Sequence, residues 1–310
     1  MPEFVPPRPL ETAVLLLIFN RPDTTKKVFE AIRKARPPRL YISADGPRSD
    51  HAKDATLVEE VRDICQNIDW PCEVHNNYSE HNLGCKAAVI KGIDWFFKYE
   101  ECGIILEDDC LPNMSFFWFC QDMLIKYEYE PRVMHIAGMC YKQLNSKFSY
   151  NFVRIGGIWG WATWKRAWHL YDHEFSNKDH AFEENILNNI FYKSPSLQKR
   201  YKKIFSLAFK NTHTWDYQWT CTKLIHGSVN IMPSVNLVEN IGLGHHDATH
   251  TSIFSKRYQN ITSKELKWPL MHRNFLIIDQ KNDLDNLYFS NELGFFNFFK
   301  RVLRKFGSIL

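Results

Sequence analysis

The stretch GIILEDDCLP, residues 103–112, decides how this chain is read: a short apolar run ends in three consecutive carboxylates, Glu107, Asp108 and Asp109. Gly103 marks an entry, and Ile104-Ile105-Leu106 runs without polar alternation, as a strand buried on both faces does. In an open α/β sheet, ligands bind at the carboxyl ends of the strands, so acids placed there face a cleft. Three adjacent anions repel one another and raise each other's pKa unless a cation offsets them. Clustered carboxylate oxygens suit a hard ion such as Mn²⁺ or Mg²⁺. A solvated acidic turn is the plain alternative.

Outward from this strand, residues 13–19 (AVLLLIF) read as a core strand, followed by the turn at Asn20 to Asp23 and a helix over 24–35. Residues 39–44 (RLYISA) predict a second strand ending in Asp45-Gly46-Pro47-Arg48, and 55–68 a helix with Leu57, Val58, Val61, Ile64 and Cys65 at helical spacing. A strand over 72–76 and a helix over 83–98 lead into the acidic strand. A helix over 115–127 and a strand over 133–139 follow it. Strands alternating with helices predict a largely parallel sheet. The second half is less regular and rich in aromatic residues, with no internal repeat.

The 310 residues, 45% hydrophobic with ordinary charge, describe a globular protein. A net charge of +4 with dispersed Lys and Arg gives nucleic-acid binding no support. The ten Trp and 15% aromatic content suit a protein that handles sugars or interfaces. The eight cysteines contain no CxxC and read as buried thiols. With no export signal and no apolar run near the about 18 residues a spanning helix needs, the expected compartment is the cytoplasm. There is no GxGxxG after the first strand and no GxxxxGK[ST]. EDDC lacks the aspartate spacing of a haloacid-type phosphatase, and FNRPD stands where a sugar-nucleotide pyrophosphorylase would carry a glycine-rich loop.

Five segments in order resemble glycosyltransferases of the GT-A fold, in particular the inverting N-acetylglucosaminyltransferase I group and bacterial sugar transferases with an EDD motif. They are IFNRPDTTKKVFEAI, YISADGPR, GIILEDDCLPNMSFFWF, GGIWGWATWKRAW and TWDYQW. The resemblance covers about residues 13–251. It implies an α/β GT-A fold, a Rossmann-like, mostly parallel central sheet flanked by helices. The catalytic domain would span 1–290, with a donor half over about 13–140 and an acceptor half over about 141–290.

Residue by residue, the resemblance implies that Arg21 and Asp45 hold the nucleotide of a UDP-sugar donor, Asp45 through the uracil ring. Lys86 falls near a nucleotide-contacting position. Asp109 would bind the metal, Mn²⁺ or Mg²⁺; Asp108 would lie near the ribose and the metal's waters, and Glu107 would face the transferred sugar. Asp216, after Trp215, would be the base that gives inversion. Gly160 and Trp161 are expected near a saccharide acceptor.

Alternatives stand beside these roles. Asp216 also suits a helix cap or a partner for neighbouring Trp or Tyr, and Arg21 a surface turn before Pro22. The spacing of Trp164 and Trp168 suits core packing, while the glycines beside Trp159 and Trp161 suit close approach to a ligand. Asp247, Thr249 and His250 lie in a glycine-flanked stretch read as a lid over the diphosphate in preference to a zinc site.

At the C-terminus, residues 291–310 form a basic amphipathic tail, with Phe295, Phe296, Phe299, Val302, Leu303 and Phe306 on one helical stripe and Lys300, Arg301, Arg304 and Lys305 mostly opposite. Such a helix suits an anionic membrane surface at the inner face, with the completion of a core as the plain alternative. A lipid-linked saccharide acceptor and surface polysaccharide synthesis would fit the first. Two other classes stay open: a non-catalytic carbohydrate-binding protein of this fold, and a metal-dependent nucleotidyl or phosphoryl transferase.

Overall fold

The computed structural model describes residues 4–144, 146–176, 178–208, 210, 214–243 and 261–290. Thr249, His250 and the 291–310 tail therefore lie outside the described residues. The chain is an α/β protein built on an eight-stranded sheet. In chain order the strands are β1 (Val14–Ile18), β2 (Arg39–Ala44), β3 (Glu73–Tyr78), β4 (Cys102–Glu107), β5 (Cys110–Pro112), β6 (Val133–Ala137), β7 (Tyr150–Val153), β8 (Trp161–Trp164), β9 (Val229–Pro233) and β10 (Val238–Asn240). The sheet runs β3-β2-β1-β4-β8-β6-β9-β7, and β5 pairs with β10 in a second, two-stranded sheet.

The first four strands in the sheet order are parallel: β1 pairs with β2 and with β4, and β2 with β3. Beyond β4 the sheet becomes mixed, because β8 inserts antiparallel between β4 and β6. The expected architecture of a mostly parallel central sheet flanked by helices is thus present. Its helices are α1 (Pro22–Ala35), α2 (Asp54–Gln66), α3 (Cys85–Phe96), α4 (Met114–Lys126), α5 (Lys165–Trp168), α6 (Lys178–Glu183), α7 (Ile186–Ile190), α8 (Pro195–Ala208), α9 (Asp216–Ile225) and α10 (Gln280–Ser290).

β1 is buried along its whole length, and its pleat sends alternate residues to the two faces. Val14, Leu16 and Ile18 join one core with Val28, Phe29 and Ile32 of α1 and Phe116, Phe117 and Phe119 of α4. Leu15 and Leu17 join another with Val89, Ile93 and Phe96 of α3 and with Trp161, Trp168, Trp215 and Trp219. Residues 8–12 strap across α4: Trp118 Nε1 donates to the Arg8 carbonyl at 2.6 Å, and Gln121 Oε1 accepts from the Glu11 N–H at 2.6 Å.

Several element limits differ from the sequence reading. α1 begins two residues earlier, at Pro22, because proline suits the first helical position, where its missing N–H has no intrahelical partner to lose. α3 begins later, at Cys85, because Gly84 takes a left-handed φ of 79° that no helix continues through. The three-residue pair β5 and β10 was not foreseen.

Candidate functional site

The carboxyl ends of β1, β2 and β4 lie side by side, and three turns leave them. The turn after β1 is held by Arg21, whose carbonyl accepts from the Thr25 N–H at 3.0 Å and the Thr25 hydroxyl at 2.7 Å. The Arg21 Nη1 donates to Asp109 Oδ2 at 3.0 Å, and the Phe19 N–H donates to Asp108 Oδ2 at 3.2 Å. The acids after β4 are therefore bound to the turn after β1 by one cation and one amide. Neighbouring Asn20 donates to Asp54 at 3.0 Å, and Arg48 clamps the same carboxylate in a fork at 2.6 and 2.9 Å. The Arg48 guanidinium also lies over the Phe19 ring, 5.4 Å from its centroid. This Asn20–Asp54–Arg48 network fixes the second turn against the first, and the sequence reading did not include it. The signal was the Arg48 at the end of YISADGPR.

Asp45 is placed differently from the expectation. Its carboxylate accepts from the Gly46 N–H at 2.8 Å, the Leu83 N–H at 2.8 Å, the Gly84 N–H at 3.1 Å and Asn82 Nδ2 at 2.9 Å. Four donors satisfy both oxygens. Asp45 thus closes the loop before α3 against β2, and in this arrangement no acceptor capacity remains for a base. Gly46 permits that closure, since a Cβ there would lie 2.4 Å from the His81 backbone.

At the end of β4, burial pushes the Glu107 carboxyl well above the usual range, helped by the charges of Asp109, Asp108 and Asp216 and opposed by Arg21. Burial, with Asp109 next, pushes Asp108 up to about 7, opposed by Arg21 and by the Phe19 N–H. Cys85, first residue of α3, feels the same charges: desolvation of its sulfur, then Glu107, Asp216, Asp108 and Asp45, push the thiol up to about 12. Five groups from β2, β4, α3 and α9 therefore share one field. Lys86, next along α3, donates to the His173 carbonyl at 3.1 Å.

Asp109 is pinned from a third side. β10 pairs with β5, so Asn240 lies opposite Cys110. Asn240 Nδ2 is 3.4 Å from Asp109 Oδ1, the Ile241 N–H donates to the Asp109 carbonyl at 2.9 Å, and a Cβ on Gly242 would lie 2.4 Å from Asp109 Oδ2. The chain returns to the same strand: Ser263 donates its N–H and hydroxyl to Glu239 Oε1 at 2.7 and 2.8 Å, and the Lys264 N–H to the Asn236 carbonyl at 2.8 Å.

Among the described residues no three His, Cys, Asp or Glu side chains converge as a self-sufficient metal cage. The donor set instead fits a cation held by one or two carboxylates and completed by phosphate oxygens and water, the usual arrangement for magnesium-like ions on nucleotides. The mutual repulsion that raises Glu107 and Asp108 is what such an ion would relieve.

Asp216 opens α9, directly after Trp215. Trp215 is buried, its ring stacked on Trp161 at 5.8 Å, and its carbonyl accepts from the Tyr171 hydroxyl at 2.9 Å. Trp161 is 1% exposed in β8, stacked also on His135 at 5.1 Å. Trp161, expected near the acceptor, is therefore core, and with Trp215 it forms a pillar that seats the start of α9 on the sheet. Gly160, with φ of 59°, serves packing too, because a Cβ there would lie 2.8 Å from Val238 Cγ2. Glycines that looked like room for a ligand are room for β10 and for His135, which a Cβ on Gly156 would meet at 2.6 Å.

No protein-family model matches the chain, and no curated protein matches it in sequence. Among solved structures, it is similar to HddC from Yersinia pseudotuberculosis at 12% identity, over 36% of this chain and 54% of that one, with a TM-score of 0.26. It is also similar to the mannosyltransferase PcManGT from Pyrobaculum calidifontis, in complex with GDP-Man and Mn²⁺, at 11% identity, over 53% and 48%, with a TM-score of 0.32. A UDP-glucose pyrophosphorylase in its apo form overlaps 75% of this chain and 93% of its own at 7% identity, with a TM-score of 0.40. The first two likenesses take in only about half the length of the proteins matched. At such overlaps they carry no argument about what this chain does.

Proposed function

We propose that this protein is a glycosyltransferase that uses a divalent cation to move a sugar from a UDP-sugar donor to a saccharide acceptor, with inversion. One observation carries the reading: Glu107, Asp108 and Asp109 at the end of β4 share a field with Arg21 after β1 and with Asp216 at the start of α9. A cation-binding carboxylate, a guanidinium and a separate carboxylate from the acceptor half are the groups that glycosyl transfer from a diphosphate requires.

The chain's own residues supply the following. Arg21, paired with Asp109 before the donor arrives, offers its guanidinium to the diphosphate and neutralises the charge that develops as the glycosyl bond breaks. Glu107, whose burial favours the neutral form, donates a hydrogen bond to the sugar. Asp216 accepts the proton of the attacking acceptor hydroxyl. When bound, Mn²⁺ or Mg²⁺ on Asp109 adds Lewis-acid stabilisation of the diphosphate. The electrostatic link between Asp216 and Glu107 supports assigning the base to the acceptor half.

The wider reading has a donor half over about 13–140 and an acceptor half over about 141–290. It also has the 291–310 tail holding the enzyme at the inner membrane face, near a lipid-linked acceptor for surface polysaccharide. Titration calorimetry of UDP with and without Mn²⁺, on the protein and on Asp109→Asn, tests the site. Turnover of UDP-sugars then tests the reaction. UDP as product supports the reading; pyrophosphate or inorganic phosphate as product replaces it with a nucleotidyl or phosphoryl transferase. Binding without turnover on any acceptor leaves a carbohydrate-binding protein.

A further inference from the structure

The far edge of the sheet carries an apolar surface that the transferase reading does not use. β7 is the last strand in the order, and residues 271–279 run along it: the Ser149 N–H donates to the Met271 carbonyl at 3.0 Å, Ile278 bridges Phe152, and the Asp279 N–H donates to the Phe152 carbonyl at 3.2 Å. Along this segment alternation decides direction. Leu276 and Ile278 pack into the core, while Phe275 is 72% and Ile277 66% exposed, joined by Met271 at 55%. A strand-like edge with large apolar side chains on its outer side is what proteins ordinarily suppress, and where it persists it marks an interaction site.

The charge around it selects the partner. Lys126 at the end of α4 and Asp122, itself paired with Arg8, both act on His272, and Lys126, Lys267, His272 and Lys281 are all exposed. The acids nearby are mostly engaged inside the protein. Glu265 accepts the N–H groups of Met114 and Ser115 at the start of α4, Asp279 pairs with Arg273, and Asp283 pairs with Arg154. Asp285 is the exposed exception. A second copy of the chain is disfavoured as the occupant, because a two-fold interface would set this basic rim against itself. The sequence continues from α10 into the 291–310 stretch, which carries Lys300, Arg301, Arg304 and Lys305 against Glu292 and repeats the pairing of apolar residues with positive charge.

We propose that the outer face of residues 271–277, with Phe275 and Ile277 as its apolar anchors, Lys126 acting on it at His272 and the exposed Lys267 and Lys281 flanking it in sequence, is a docking surface for an anionic lipid bilayer. The proposal does not depend on the reaction, since its test reads no activity. Apolar side chains at the headgroup boundary and lysines against anionic headgroups both contribute to such binding.

The test is co-flotation of the full chain with vesicles of phosphatidylcholine alone and of phosphatidylcholine with phosphatidylglycerol, comparing the protein with Phe275→Ser/Ile277→Ser. The expected result is binding to the anionic vesicles, weakened by about tenfold or more in the double variant, whose Tm is unchanged because both side chains are exposed. Hydrogen exchange of the unsubstituted protein gives a second readout, with backbone amides 274–278 slowing on addition of anionic vesicles. The proposal is overturned by undiminished vesicle binding in the variant, by exchange at 274–278 indifferent to vesicles, or by a dimer in sedimentation that the double substitution dissociates.

Discussion

The Arg21 guanidinium donates to Asp109 Oδ2 at 3.0 Å, joining the turn after β1 to the turn after β4 with both side chains less than one-fifth exposed. Each partner restrains the other, yet removing them should affect metal dependence differently. Asp109→Asn should abolish the Mn²⁺ enhancement of UDP binding, whereas Arg21→Ala should weaken UDP binding by about tenfold to a hundredfold with or without Mn²⁺, the range for one charged hydrogen bond. Calorimetry on both variants checks this, and equal behaviour of the two would contradict separate roles.

Asp216→Asn should leave UDP affinity intact and lower transfer by about 10²–10⁴-fold, as loss of a general base does. Donor titration and single-turnover rates are the measurements. Wild-type transfer in the variant would remove Asp216 from the mechanism.

Gly242→Ala should behave as a disturbance of Asp109, because the new Cβ would lie 2.4 Å from Oδ2 and 2.8 Å from the Asp109 Cβ. A loss of Mn²⁺ enhancement is expected together with about 1–3 kcal/mol of stability, the usual cost of overpacking. Unaltered metal dependence would show that Asp109 can move aside without consequence.

Hydrogen bonding from Arg48, with help from Asn20, holds Asp54 down at about 2, below its ordinary 3.8. A carboxylate whose pKa is depressed by folding stabilises the native state above its unfolded pKa, and that contribution is lost as pH falls from about 4 to 2. Arg48→Met should therefore cost about 1–2 kcal/mol at pH 7 and progressively less below pH 4. Tm measured across that range decides the matter; a cost independent of pH would place it elsewhere.

Lys223 of α9 is fully buried, its Nζ has no hydrogen-bond partner among the described residues, and its head lies 5.5 Å from the centroid of the Trp219 ring. Burial pulls its pKa down to about 7, against the opposing charge of Asp216. The unfolded lysine keeps its proton up to about pH 10.5, so the native state bears the full cost below pH 7 and recovers it as pH rises from 7 to 10.5. Lys223→Met should raise stability by about 2–4 kcal/mol at pH 7 and remove that rise. Denaturant midpoints at pH 7 and pH 10 are sufficient to check it.

The N-terminal strands and helices were readable because their signals are long and local. Five apolar residues of β1, the amphipathic face of α1 and the acids after β4 each announce themselves within one element. The rest depended on partners distant in sequence. β5 and β10 are three residues each, too short to show a period, yet their pairing puts Asn240 and Gly242 against Asp109. Asp45 reads as a ligand-binding acid at a strand end until three donors of the loop 82–84 and the Gly46 N–H are seen to engage its carboxylate. Trp161 sits among glycines that suggest an open surface, but those glycines make room for Val238 and His135. A glycine says that something approaches closely, and the sequence does not say whether it is a ligand or the protein itself.

The chain leaves β10 at Gly242 and returns to it at Ser263, so the intervening stretch begins and ends on one short strand fixed to Asp109. The acidic turn is therefore held through β10 as well as through its own strand, and a disturbance at Gly242 or at Ser263, far apart in sequence, bears on the same short strand that faces Asp109.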